Sequence, residues 1–172
     1  MSIPDRVLLH HSNGAAYFFY EWEVLLARLS YFAHKGPDIC TLELEDGRYI
    51  QLAGVKRRLT VESRTYENGG QFTHIVWGKG ARVGSAETIQ SQAGTVTVDA
   101  SQVLIMRDAR ILIQAFLENE PMPARYCGFD VSSRFAPIPE GMKIRHRLWE
   151  LPDSRLRRRP RWGGESGAGN NA

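Results

Sequence analysis

Between Ile39 and Asp99 the apolar residues recur at every second position and are interrupted by glycine-bearing turns, a pattern that points to a run of antiparallel strands. Leu42 and Leu44 alternate with Thr41, Glu43 and Glu45, and Asp46-Gly47 supplies a hairpin turn before Tyr49-Ile50-Gln51-Leu52. Gly54 reads as a bulge, after which Leu59 and Val61 alternate with Arg58, Thr60 and Glu62. Asn68-Gly69-Gly70 turns the chain into a strand from Phe72 to Trp77. Beyond a glycine-rich loop at 78–84, residues 87–92 and 95–99 flank Ala93-Gly94 as another hairpin, with Val96 and Val98 facing the core. Connections this short make sequence neighbours antiparallel neighbours in space.

On either side of these strands the period lengthens. Phe18, Trp22, Leu25, Leu29 and Phe32 are spaced four, three, four and three apart, which predicts an amphipathic helix over 17–33, capped by Ser12 or Asn13 and stopped at Gly36-Pro37. Tyr17, Phe19, Tyr20 and Tyr31 add more aromatic surface than one core face needs, so some of these rings are expected to meet a second surface. Ala109, Leu112, Ile113, Phe116 and Leu117 predict a second helix over 107–119, ended by Pro121 and Pro123, and Tyr126 to Val131 reads as the last strand. The expected fold is α+β: a mostly antiparallel sheet of five to seven strands, covered on one face by two amphipathic helices.

With 172 residues, one core is the default. We expect a single domain over 1–142 and a basic, largely flexible C-terminal tail over 143–172. That tail carries Lys143, Arg145, Arg147, Arg155, Arg157, Arg158, Arg159 and Arg161 against Glu150, Asp153 and Glu165, whereas residues 1–142 have a slight acidic excess. Glu21, Glu23 and Arg28 interrupt the longest apolar stretch, which argues against a membrane span. The first residues lack the pattern of a secretory signal, and a cytoplasmic location is expected. Cys40 and Cys127 have no neighbouring thiol in sequence and read as small buried hydrophobes.

Residue types that carry chemistry are present without the spacing that chemistry needs. The adjacent His10 and His11 diverge on any regular element, and His34, His74 and His146 lack a ligand partner at helical spacing. The loop at 78–84 has the glycines and lysine of a phosphate cradle without its Gly-Lys-Ser/Thr ending. No catalytic residue, metal or cofactor is therefore expected. Glu43, Glu45, Glu62 and Glu67 read as solvated acids that, clustered with Asp46 and Asp99, would attract a basic partner. Arg155, Arg157, Arg158, Arg159 and Arg161, flanked by Trp149 and Trp162, offer the charge and stacking rings of a single-stranded nucleic-acid site.

Residues 103–131 run from a strand through Arg107-Asp108-Ala109, which opens a helix, to Ile113-x-x-Phe116-Leu117, Glu120-Pro-Met-Pro123 and the aromatic strand Tyr126-Cys-Gly-Phe129. Together with Thr73-His-Ile-Val-Trp77, this resembles the deaminase-immunity family of bacterial polymorphic toxin systems. The resemblance implies a small α+β protein, not an enzyme, that binds a cognate toxin, in all expectation a basic one, and blocks its active site or substrate access. Glu43, Glu45, Asp46, Glu62, Tyr66, Glu67 and Trp77 are the residues expected to meet the toxin. Two alternatives stay open: a nucleic-acid-binding accessory protein that uses the arginine run with Trp162, and a small enzyme whose site has no sequence signature.

Overall fold

The computed structural model describes residues 6–66, 72–136 and 147–150. Among these residues nine strands and two α-helices follow one another as β1 (Val7–His11), β2 (Ala16–Phe19), α1 (Trp22–Leu29), β3 (Asp38–Glu43), β4 (Tyr49–Val55), β5 (Arg58–Tyr66), β6 (Phe72–Lys79), β7 (Ala86–Ser91), β8 (Gly94–Asp99), α2 (Met106–Leu117) and β9 (Tyr126–Asp130). Seven strands form one sheet in the order β2-β1-β3-β4-β5-β6-β9, antiparallel at every pairing, and β7 and β8 form a separate hairpin. The α+β class with two helices and a large antiparallel sheet is as the hydrophobic patterning predicts.

One face of the sheet carries the core. Leu9, Leu42 and Ile50 stand in cross-strand register, as do Cys40, Leu52 and Val61, and all six are buried. Trp22, Leu25, Leu29 and Phe32 from the α1 region and Ala109, Leu112, Ile113, Phe116 and Leu117 from α2 close over them in the same cluster. Each fully buried leucine there contributes about 1.5–3 kcal/mol relative to exposure. α2 is also fastened by polar contacts: the buried Asp108 carboxylate accepts from Lys79 Nζ (2.7 Å), Tyr126 Oη (3.0 Å) and the Ile105 amide (3.2 Å), tying the helix start to β6 and β9. Burial alone would raise the Asp108 pKa, but these donors outweigh it and hold it below the usual carboxylate range.

Five local expectations are corrected. The predicted helix over 17–33 is helical only from Trp22, because residues 16–19 form β2. Phe18 and Phe19 are adjacent yet contact opposite faces, Phe19 in the helix-side core and Phe18 against Trp149, which only extended backbone allows. Asn13 caps no helix; its side chain accepts the Ala15 amide (2.9 Å) within the β1–β2 turn, where Gly14 has φ +85°. Gly54 marks no bulge, since the β4–β5 register runs unbroken through it. A Cβ there would lie 2.4 Å from the Arg58 carbonyl oxygen, so close backbone approach is what requires glycine. Val96 remains 37% exposed, and Ile89 is the hairpin residue that enters the core region, alongside Val98. Gly78 and Lys79 belong to β6, leaving a shorter loop than 78–84.

Candidate functional site

The second face of the sheet is polar and largely covered. Cross-strand register sets Glu43 beside Tyr49, Arg64 and His74 in one row, and Thr41, Gln51 and Glu62 in the next. Tyr49 Oη donates to Glu62 Oε1 (2.7 Å), and His74 Nδ1 lies 3.2 Å from the same oxygen. Burial, and then the negative charge of Glu62, push the Tyr49 hydroxyl well above the ordinary tyrosine range. Arg64 donates through Nε and Nη2 to the Gly47 carbonyl (3.0 and 2.6 Å) while its guanidinium lies over Tyr49. His10 Nε2 is 3.5 Å from Glu43 Oε2.

Phe135 stacks on the His74 ring with centroids 3.6 Å apart, and Ser132 Oγ accepts from the His74 amide. A carboxylate-oriented imidazole has the chemistry of a general base, but here the Glu62–His74–Tyr49 group cross-braces β4, β5 and β6, with His74 only 6% exposed. At the other side of this face Trp149 packs edge-on against Phe18 (5.0 Å), and the Arg6 guanidinium lies over both rings. Trp149 is 4% exposed, so the packed part of the chain reaches past residue 142 and this ring is not presented for stacking on a base.

The residues expected to meet a toxin do not lie together. Glu43 and Glu62 are on the covered polar face and are paired rather than solvated, Glu43 being 5% exposed. Glu45 and Asp46 lie in the β3–β4 turn, paired with Arg6 (3.7 Å) and Arg48 (2.7 Å). Trp77 is on the helix-side face, where its indole donates to Ser63 Oγ (2.9 Å) and lines a cleft of about 410 Å³ with Thr65, Ile75, Phe116, Asn119 and Met122. Tyr66 ends β5. Glu67 lies outside the described residues, as do Arg155, Arg157, Arg158, Arg159, Arg161 and Trp162. His11 bonds Asp38 (2.8 Å), and both cysteines are free, Cys40 fully buried and Cys127 half-buried. Among the described residues no three His, Cys, Asp or Glu side chains are grouped to hold a metal ion, and no helix is long and apolar enough to cross a membrane.

A different surface emerges at the β2 edge. Tyr17, Tyr20, Val24 and Tyr31 are 38–57% exposed. Val24, Arg28 and Tyr31 recur at helical spacing along α1 and the turn after it, and the Arg28 guanidinium lies 4.5 Å from the Tyr17 ring centroid, which joins the helix surface to the strand. The other large exposed apolar residues described, Val83, Val96, Ile105 and Phe135, belong to separate segments. The aromatic excess of residues 17–31 was the available sequence signal for this patch.

Comparison with protein-family models, curated proteins and solved structures finds no match.

Proposed function

We propose that the chain is an immunity-type inhibitor that binds a cognate bacterial toxin in the cytoplasm and blocks its active site or the approach of substrate, without chemistry of its own. The toxin would be a basic enzyme acting on nucleic acid, such as a deaminase. The observation that carries this reading is the patch of Tyr17, Tyr20, Val24 and Tyr31, which leaves large side chains exposed beside the strand that ends the described sheet. Tyrosine supplies contact area with little rotamer entropy to lose and is concentrated at energetically dominant interface positions. Contiguous exposed apolar surface of this kind marks interaction sites. The resemblance of residues 103–131 supplies the kind of partner, and the slight acidic excess of residues 1–142 suits a basic one.

The test is co-expression with the product of the adjacent reading frame. A stable complex at micromolar concentration, together with relief of that product's toxicity, is the expected result. Absence of association at that concentration discards the reading.

A further inference from the structure

β2 ends the seven-stranded sheet, so among the described residues one side of its backbone has no strand beside it. The ladder identifies which groups are left over. His11 N–H bonds the Ala15 carbonyl (2.8 Å), while Ser12 N–H bonds Ile39 of β3 (3.0 Å). Along β1, odd-numbered residues therefore bond β2 and even-numbered residues bond β3. With Leu9 opposite Tyr17 and His10 opposite Ala16, the backbone groups of Tyr17 and Phe19 turn inward, and those of Ala16 and Phe18 turn outward. Among the described residues nothing bonds these outward groups.

Sheet edges are ordinarily blunted by proline, charge or a bulge. The sequence of β2, Ala-Tyr-Phe-Phe, has none of these, and only its shortness limits pairing. The opposite edge strand, β9, ends on Asp130, and the Arg82 guanidinium lies over its Phe129. The end of β2 that leads into α1 is acidic: Glu21 and Glu23 are exposed at the head of α1, and the exposed Glu45 stands beside Arg6 at the same end of the sheet. Of the cations nearby, Arg28 is stacked on Tyr17, Arg6 on Phe18 and Trp149, and the exposed Arg147 belongs to the same short turn as Trp149.

We infer that the open edge of β2 binds an extended, lysine- or arginine-bearing segment of the partner protein, which joins the sheet as a further strand. This rests on the inhibitor reading above and names the way the partner is held. The segment's backbone bonds the outward groups of Ala16 and Phe18, and its apolar side chains on the helix side lie against Tyr17 and Val24. Its cations meet Glu21 and Glu23.

The test uses the full chain, isotope-labelled, titrated with a short peptide of alternating lysine and valine and, separately, with its glutamate–valine counterpart. Expected are shift changes along β2 and slowed exchange of the Ala16 and Phe18 amides with the lysine peptide, and at least about tenfold weaker binding of the glutamate peptide. Ala16→Pro removes an outward N–H that the β1–β2 ladder does not use, so the fold is retained while peptide affinity falls at least about tenfold. Val24→Lys, on the helix, weakens binding similarly and guards against a misfolded strand variant. Equal binding of both peptides, shifts confined to other surfaces, or full affinity in both variants would overturn the inference. If the adjacent-frame product associates equally well with the wild type and with Ala16→Pro, edge pairing fails and the inhibitor reading stands. If that product does not associate at all while the peptide pairs with β2, the inhibitor reading fails instead.

Discussion

Ile89 of the β7–β8 hairpin sits so close over Gly54 of β4 that a Cβ on the glycine would be 2.9 Å from its Cγ2 methyl. The hairpin is attached to the main sheet at this point, and Ile89 is fully buried there. Gly54 also has φ +130°, which side-chain-bearing residues rarely adopt, and the obstructing Arg58 carbonyl belongs to the backbone. Gly54→Ala should therefore destabilise the fold by at least about 2 kcal/mol, combining overpacking with backbone strain. Urea denaturation checks this: the midpoint should fall, and the slope should stay the same.

Acid should weaken the protein through Asp108. Its folded pKa lies below the unfolded value, so the stabilisation is complete above the ordinary carboxylate pKa of about 4 and is lost as pH falls toward the folded value. Asp108→Asn keeps the size but loses the charge that holds Lys79, and should cost about 1–3 kcal/mol at neutral pH. The difference between variant and wild type should shrink as the pH is lowered, which thermal melts across that range would show.

Base should act through Tyr49. Its folded pKa is raised, so its contribution is present below the unfolded tyrosine pKa of about 10 and is lost as pH rises toward the folded value. In an absorbance titration, the Tyr49 step should therefore lag until the chain unfolds. Tyr49→Phe should remove this lag.

Trp149→Ala should cost about 3–5 kcal/mol, because a large buried ring is deleted. Among the described residues its indole N–H has no hydrogen-bond partner, so the contribution is packing against Phe18 and the Arg6 guanidinium. Trp149→Phe should retain most of the stability. Chemical denaturation of the two variants separates them.

Burial drives the Cys40 thiol well above the ordinary range, and Cys40 should resist a thiol reagent until global unfolding. The half-buried Cys127 should react first. Time-resolved labelling of the single Cys→Ser variants gives the order.

The β3–β4 hairpin could be read from sequence because strict alternation met a turn that demands Asp-Gly. α2 could be read because Ala109, Leu112, Ile113, Phe116 and Leu117 fit no other period. The N-terminal region misleads because aromatic residues at helical spacing suit a strand equally well once a neighbour can cover both sides. The turn at Asn13-Gly14 after Val7-Leu8-Leu9 was the missed cue. Alternation correctly sets Glu43 and Glu62 on the face away from the helices, but it cannot reveal that Phe135 and Trp149, distant in sequence, also pack on that face. Trp77, one residue out of phase with Val76, necessarily faces the opposite way. The patch at β2 was foreshadowed only as an excess of rings, since the strand edge that gives it direction depends on long-range pairing.

The order of strands in the sheet also sets an order of events in refolding. β3, β4, β5 and β6 succeed one another as neighbours and close short loops. β9 joins β6 only across the whole hairpin and α2, from Gly80 to Arg125. That pairing carries the largest loop-closure entropy in the sheet and is rewarded late, by the β6–β9 ladder and the Tyr126–Asp108 hydrogen bond. Mutations in β9 should consequently speed unfolding more than they slow folding, making this strand the kinetic latch of the molecule.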